Sequence, residues 1–130
     1  MELLPEGQRN TATEVKWEDQ QKINKFSTII SKKDELLIHL DQLNQEKEYS
    51  DDLSLEIELL DEDDTIQYKL GDSFVFMKVS KAISKLESDQ EKMNNKIDAS
   101  NELIVKYDEE LNELKSHLYA KFGNNINLER

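Results

Sequence analysis

The C-terminal half of the chain carries a regular stripe of apolar residues. From residue 79 to residue 118 they alternate at spacings of four and three, and only Gln90 and Ser100 interrupt the repeat. The apolar members of the stripe are Val79, Ile83, Leu86, Met93, Ile97, Ile104, Tyr107, Leu111, Leu114 and Leu118. A repeat of about 3.5 residues keeps one face of a helix against a partner helix in a left-handed supercoil. The pattern therefore predicts a coiled-coil helix over residues 79–122.

A second apolar stripe predicts another long helix upstream, over residues 17–60. Glu18 and Asp19 fall in its first turn, where carboxylates interact favourably with the positive end of the helix dipole. Its apolar positions are Ile23, Phe26, Ile30, Leu37 and Leu40, followed in a shifted register by Tyr49, Leu53, Ile57 and Leu60. Over residues 53–60 the apolar residues also alternate with period two, so a strand is the alternative to a helix there.

Two short apolar runs between the predicted helices indicate a β-hairpin. Residues 66–70 and 73–77 flank Gly71-Asp72, and a two-residue loop with glycine is typical of a type I′ or II′ turn. An isolated two-stranded hairpin is at best marginally stable in water, so we expect something outside this chain to cover it. The hairpin is therefore interpreted as an assembly element. The residues assigned to it are Ile66, Tyr68, Leu70, Gly71, Phe74, Val75, Phe76 and Met77.

Four acidic residues, 61–64, separate the first helix from the hairpin. Such a run could belong to a calcium-binding loop, but an EF-hand loop needs glycine at its sixth position and glutamate at its twelfth. Those positions hold Ile66 and Asp72. We therefore interpret residues 61–78 as a solvated acidic loop followed by the hairpin, with no metal ion and no other cofactor.

The two predicted helices have nearly the same length, about 65 Å each at 1.5 Å per residue. Helices of matched length joined by a tight hairpin favour an antiparallel two-helix coiled coil that folds back on itself. The fold class is accordingly mainly α. A flexible N-terminal segment over residues 1–16 and a tail over residues 123–130 would lie at the far tip. A long parallel homodimer is the alternative, but the glycine-marked strands would interrupt it.

The predicted tip is rich in apolar side chains. Gly123 follows the second helix and is the residue type expected just past a helix end. We expect that two helix ends cannot bury all of these side chains, that Ile126 and Leu128 protrude, and that the patch is a binding site. The candidate tip residues are Val15, Trp17, Ile23, Phe26, Leu118, Tyr119, Phe122, Ile126 and Leu128.

Composition and charge narrow the possible functions. The 130 residues include 17 basic and 29 acidic side chains, for a formal net charge of −12. Nucleic-acid binding depends on a basic surplus, so this balance argues against it. No apolar run is long enough to span a membrane, and the first ten residues lack the apolar core of a signal peptide. The absence of cysteine fits a reducing compartment.

No enzymatic motif stands out. The sequence has no Walker glycine loop, no His-x-x-Glu-His spacing and no cysteine nucleophile. His39 and His117 would lie far apart in the folded-back chain, and carboxylate pairs such as Asp108 and Glu109 fall on exposed helix faces. A binding protein is therefore expected, and a structural tether or scaffold is the alternative to a protein that uses its tip.

Three stretches carry a resemblance to a known family. They are residues 18–26 (EDQQKINKF), residues 68–72 of the hairpin (YKLGD) with Phe74 and Phe76, and residues 118–123 (LYAKFG) with residues 125–129 (NINLE). Together with the order helix, hairpin, helix, they resemble the β-type subunits of prefoldin over nearly the whole chain.

The resemblance implies a subunit of a hetero-hexameric, ATP-independent co-chaperone in the cytoplasm. In that family, hairpins from two α-type and four β-type subunits form a β-barrel, from which six coiled coils extend. The coiled-coil tips hold unfolded actin and tubulin and pass them to the cytosolic chaperonin. The implied partners are thus two α-type and three further β-type subunits, the chaperonin and the unfolded clients, with neither nucleic acid nor membrane among them.

Overall fold

The computed structural model describes the backbone of residues 2–3 and the whole of residues 14–128. The elements in chain order are β1 (Glu2–Leu3), α1 (Trp17–Ile57), β2 (Thr65–Leu70), β3 (Ser73–Lys78), α2 (Val79–Phe122), a 3-10 turn (Gly123–Asn125) and β4 (Ile126–Asn127). The two long helices contain 41 and 44 residues. The prediction of a mainly helical chain with two long helices joined by a β-hairpin is confirmed.

The chain divides into two compact units. The first unit contains Met1–Leu37 and Asn101–Arg130, and the second contains Ile38–Ser100. Each unit therefore holds one part of α1 and one part of α2, and the second unit also holds the hairpin.

The helices run antiparallel within each unit. In the first unit, Asp19 near the start of α1 pairs with Lys121 near the end of α2, and Lys33 lies 2.6 Å from Asp108. In the second unit, the side-chain amide of Gln90 donates to Asp51 at 3.3 Å. Each later position on α1 thus faces an earlier position on α2.

The predicted stripe on α2 matches the packed face of that helix. Every apolar member of the stripe is buried or half-buried, whereas Leu103 and Val105, which lie outside the stripe, are exposed. The two polar residues that interrupt the stripe lie on the same packed face, since Gln90 is half-buried and Ser100 is buried. The 3.5-residue repeat therefore identified the side of the helix that contacts the rest of the protein.

Helix α1 ends at Ile57, three residues before the predicted end at residue 60. The N–H groups of Leu59 and Leu60 bond to carbonyls three residues back, at 3.2 and 3.0 Å, so the chain tightens into a turn. Leu59 is exposed and gains nothing from packing that would extend the helix. Residues 53–57 are helical, so the alternative of a strand over residues 53–60 is not adopted.

The acidic loop lies at the start of α2. The N–H groups of Val79 and Ser80 donate to the carbonyls of Asp64 and Glu62, at 2.8 and 3.1 Å. These bonds satisfy main-chain donors that a helix start otherwise leaves open. Acidic side chains are also favourable near this positive helix end, which gives the run 61–64 a structural reason.

The hairpin has a regular antiparallel register. Leu70 pairs with Ser73 beside the loop, and Ile66 pairs with Met77. Gly71 has a φ of +61°, and no residue other than glycine has a positive φ within the described part of the chain. A positive φ at the first loop residue alone selects the type II′ turn from the two types that the sequence allowed.

One face of the hairpin packs on the helices of its own unit. Tyr68 is buried in a core cluster, and Ile66 and Met77 are half-buried against it. The buried members of this cluster are Ile57, Tyr68, Val79, Ala82 and Leu86. The expectation that something outside the chain covers the hairpin is therefore wrong for this face, because α1 and α2 supply an apolar surface for it.

A second antiparallel pairing joins the two chain ends. Strand β1 pairs with β4, with Glu2 opposite Asn127 and Leu3 opposite Ile126. The predicted flexible segment, residues 1–16, falls mostly on residues outside the described part of the chain. At residues 2–3, where the backbone is described, the chain forms a strand because β4 offers it an edge.

Candidate functional site

The apolar residues at the chain ends form one compact core, here called the tip cluster. Its buried members are Phe26, Ile29, Leu111, Leu114, Leu118, Phe122, Ile126 and Leu128. They come from α1, α2 and the tail that follows Gly123. The amphipathic pattern of each helix directs its apolar face to this core, and the tail closes over it.

The structure corrects the expected exposure of the tip. Five of the nine predicted tip residues are buried members of the cluster: Phe26, Leu118, Phe122, Ile126 and Leu128. Val15, Ile23 and Tyr119 are partly buried against it. Trp17 is the exposed residue of the set, with 76% of its surface accessible. Ile126 and Leu128 do not protrude, because the tail folds back and fills the space between the helix ends.

The tail is fixed by both its side chains and its backbone. Leu128 is only 1% exposed, and its N–H donates to the Tyr119 hydroxyl at 3.1 Å. Gly123, with a φ of +56°, turns the chain at the end of α2. After the 3-10 turn, the tail thus crosses the tip cluster as an extended segment over residues 126–128.

A cavity of about 240 Å³ continues from Leu128 along the first unit. Phe26, Ile30 and Leu111 form its apolar part, and the ion pair between Lys33 and Asp108 lies at its polar side. The surface on which Leu128 sits is therefore the end of a longer groove.

Asp19 connects the two helix ends beside the tip cluster. Its carboxylate accepts a hydrogen bond from the main-chain N–H of Lys16 at 3.0 Å and another from the Lys121 ammonium. The bond from Lys121, with that from Lys16, holds the pKa of Asp19 below its ordinary value. Lys121 also lies 5.7 Å from the centre of the Phe122 ring. This arrangement fixes where the two helices end relative to the tip cluster.

The other candidate site is the outer face of the hairpin. This face consists of Gln67, Lys69, Phe74 and Phe76, because Gln67 pairs with Phe76 and Lys69 with Phe74 across the strands. The two phenylalanines are 57% and 73% exposed. Of the predicted assembly residues on the opposite face, Leu70 and Val75 are partly exposed and Tyr68 is buried. The hairpin therefore has one docked face and one open aromatic face.

A hydrogen-bonded group fixes the docked face to α2. The Tyr68 hydroxyl donates to Asp89 at 2.9 Å, and the Lys85 ammonium bonds to the other oxygen of the same carboxylate at 2.9 Å. Burial raises the pKa of Tyr68, and its bond to Asp89 raises it further. Burial alone would raise the pKa of Asp89, but the bonds from Lys85 and Tyr68 outweigh it and lower that pKa.

No sequence pattern predicted a role for Asp89 or for Lys85. Asp89 lies 21 residues from Tyr68, so no local pattern marks the pair. The contact of Asp19 with Lys16 does have a local signal. An acidic residue at the third position of a helix can accept the N–H of the residue that precedes the helix, which is one of the two bonds of a capping box.

Two chemical possibilities find no support in the described residues. Within residues 14–128, no group of three or more histidine, cysteine, aspartate or glutamate side chains is arranged to hold a metal ion. No helix in that range combines the length and the apolarity needed to cross a membrane.

Comparison with known proteins places the chain in a family. A family model described as "Prefoldin subunit" matches residues 20–125, which include most of both helices and the hairpin. The chain belongs to the prefoldin subunit family. Among curated prefoldin subunits, it is 56% identical to prefoldin subunit 4 of Saccharomyces cerevisiae over 130 residues, the full length of both chains. It is 37% identical to prefoldin subunit 4 of Homo sapiens over 121 residues, which cover 88% of this chain and 87% of the human protein.

The prefoldin fold is also seen in a solved structure. The crystal structure of the prefoldin β subunit from Thermococcus strain KS-1 matches 85% of this chain and 96% of its own length, with a TM-score of 0.71 and 17% sequence identity. At that identity the match shows a common fold. The family model and the full-length relative confirm the predicted resemblance to prefoldin.

Proposed function

We propose that the chain is a β-type subunit of a hetero-hexameric prefoldin, which acts in the cytoplasm as a non-enzymatic, ATP-independent co-chaperone. In this proposal the complex captures unfolded actin and tubulin and passes them to the cytosolic chaperonin. The names of the yeast and human relatives, both prefoldin subunit 4, support a role as a subunit of a prefoldin. The observation that carries the proposal is the open aromatic face of a hairpin whose other face is already docked.

The hairpin is the proposed assembly surface. Phe74 and Phe76 lie side by side on β3, and burying an exposed aromatic side chain contributes several kcal/mol in area terms. Strands β2 and β3 each also present an edge to which another chain can add a strand. Pairing with the hairpins of two α-type and three further β-type subunits would cover these edges and the outer face together.

The tip cluster is the proposed client surface. Trp17 is exposed beside it, with Val15, Ile23 and Tyr119 half-buried around its edge. Unfolded proteins expose apolar side chains, and an exposed aromatic residue at the margin of an apolar core offers them a first contact. In this proposal several subunits bind each client at once, so one residue contributes little to capture. The overall affinity is high because the separate weak contacts act together.

Assembly is tested with two matched double variants on the outer face of the hairpin. Phe74→Asp with Phe76→Asp should leave the helices formed, as measured by circular dichroism, and should abolish incorporation into the hexamer, as measured by native mass spectrometry. The control is Gln67→Asp with Lys69→Gln, which changes the net charge of the same face by the same amount without removing an aromatic ring. Co-purification of the phenylalanine variant with its partners at wild-type yield would contradict the proposal.

Capture is tested with the assembled complex and chemically denatured actin. The complex should suppress aggregation of actin without ATP, and addition of the chaperonin should remove actin from it. A complex that assembles but does not suppress aggregation would favour the alternative function of a structural tether, since a tether needs no client surface at its tip.

A further inference from the structure

The tail binds the tip cluster in the manner of a peptide ligand. Ile126 and Leu128, two residues apart on an extended segment, are 4% and 1% exposed. Alternate side chains of an extended chain point to the same side. Both therefore insert into the cluster formed by the ends of α1 and α2.

The backbone of the tail makes contacts that do not depend on its sequence. The Leu128 N–H donates to the Tyr119 hydroxyl, and β4 pairs with β1 through main-chain groups. Any extended polypeptide carries the same N–H and C=O groups. An unfolded protein segment with two large aliphatic side chains at alternate positions would satisfy the same site.

Two features allow the tail to be exchanged. Gly123 connects it to α2, and a side chain at this position would meet no atom within 4 Å, so the space beside the joint is open. The groove also continues beyond Leu128 into the cavity of about 240 Å³ lined by Phe26, Ile30 and Leu111. A longer segment entering the groove would contact the apolar side of this cavity, which faces the polar side chains of Lys33, Asp108, Asn112 and Lys115, in addition to the sites of Ile126 and Leu128.

We propose that the tail over residues 123–128 is the resident occupant of a peptide-binding groove, and that extended apolar segments of unfolded proteins bind there by displacing it. This inference rests on the proposed client capture, and it adds that the tail regulates access of clients to the tip cluster. The buried members of the tip cluster contact a client only after the tail has left, whereas Trp17 is available at all times. The tail thereby sets a threshold, since only segments that replace its two anchors compete with it.

The first test weakens the tail without changing the groove. Leu128→Ser is introduced into the assembled complex together with a photoreactive amino acid at Asn112, which lines the groove and is exposed. Cross-linking of denatured actin then measures the binding of actin to this subunit and not to the other subunits of the complex. A site that is open for only a tenth of the time has its apparent affinity reduced about tenfold. We therefore expect Leu128→Ser to raise the apparent affinity by up to about that factor, and Asn124→Ser, on the exposed part of the tail, to leave it unchanged.

An unchanged or lowered affinity in Leu128→Ser would overturn the proposal. A lowered affinity would mean that Leu128 itself contacts the client, and an unchanged one would mean that the tail only closes the helix ends.

The second test does not depend on client capture. A fluorescent peptide with the sequence of residues 123–128 is titrated against the wild-type complex and the Leu128→Ser complex, and its anisotropy is followed. It should bind the Leu128→Ser complex more tightly, and a peptide with serine in place of both Ile126 and Leu128 should bind neither. Equal binding of the two peptides would contradict the exchangeable groove. If the peptide exchanges with the tail but actin is not captured, the proposed function is wrong, whereas the proposal of an exchangeable peptide-binding groove is supported.

Discussion

The carboxylate of Asp19, in the first turn of α1, bonds to the ammonium group of Lys121, in the last turn of α2. The same carboxylate accepts the N–H of Lys16, just before α1 begins. An anion is favourable near the start of a helix and a cation near its end, so each partner also has the sign that its own helix dipole prefers. One ion pair therefore caps α1 and holds the end of α2 beside it.

Replacement of Asp19 should destabilise the protein in a pH-dependent way. The pKa of Asp19 is held below its ordinary value of 3.8, chiefly by Lys121 and then by the Lys16 N–H. A folded pKa below the unfolded one means that the stabilisation is complete above the unfolded pKa and is lost as the pH falls through the folded pKa. Asp19→Asn should therefore lower the melting temperature between about pH 5 and pH 7, and the difference from wild type should shrink below about pH 4.

The control for Asp19→Asn is Glu18→Gln, which removes a neighbouring exposed carboxylate. It should have a smaller effect at every pH. The melting temperatures of Asp19→Asn and wild type could instead differ as much well below the folded pKa as at neutral pH. This result would show that the ionised carboxylate of Asp19 does not cause the loss of stability.

Tyr68→Phe should loosen the hairpin while retaining the buried ring. The change removes the donor to Asp89, and a hydrogen bond to a charged group contributes about 1.5–3 kcal/mol when it is well shielded. Because Asp89 keeps Lys85 and is partly exposed, we expect the free energy of unfolding to fall by about 1 kcal/mol. Amide hydrogen exchange should accelerate over residues 65–78. Tyr49→Phe removes the hydroxyl of a half-exposed tyrosine and should leave this exchange unchanged.

Gly71 should tolerate asparagine better than valine. Its φ of +61° lies in the left-handed region, and a Cβ there would meet no atom within 4 Å. The cost of substitution is therefore backbone strain alone, roughly 1–3 kcal/mol for a residue other than glycine, and less for asparagine, which primed turns accept more readily. Thermal unfolding should give the order glycine, asparagine, valine from most to least stable. A valine variant as stable as wild type would mean that the loop adopts a different turn.

Trp17→Ala and Phe26→Ala should separate client contact from folding. Trp17 is exposed, so its removal should change the free energy of unfolding by no more than about 0.5 kcal/mol. Phe26 is 1% exposed in the tip cluster, and truncating a buried phenylalanine costs about 3–5 kcal/mol. Chemical denaturation measures both values. We expect Trp17→Ala to weaken actin capture modestly in the assembled complex. If Trp17→Ala lost more stability than Phe26→Ala, this result would contradict the burial of the tip.

The sequence by itself determined the elements of this protein. The 3.5-residue stripe from Val79 to Leu118 identified the packed face of α2, and the glycine loop at Gly71 identified the hairpin. These features are local, because helix and strand periods and turn preferences depend on residues a few positions apart. The end of α1 was placed three residues too late, since the loss of packing beyond Ile57 depends on what surrounds the helix.

Tertiary structure decided which apolar residues are available for binding. From the sequence, Ile126 and Leu128 looked as exposed as Trp17 or Phe76, because hydrophobicity does not say whether another part of the chain covers a residue. The tail reaches the tip cluster only once α1 and α2 lie side by side, which brings Asp19 and Lys121 together across 102 residues. Likewise, Tyr68 became a docking residue and Phe76 an open one because the register of the hairpin turned them to opposite faces, and only one face met the helices.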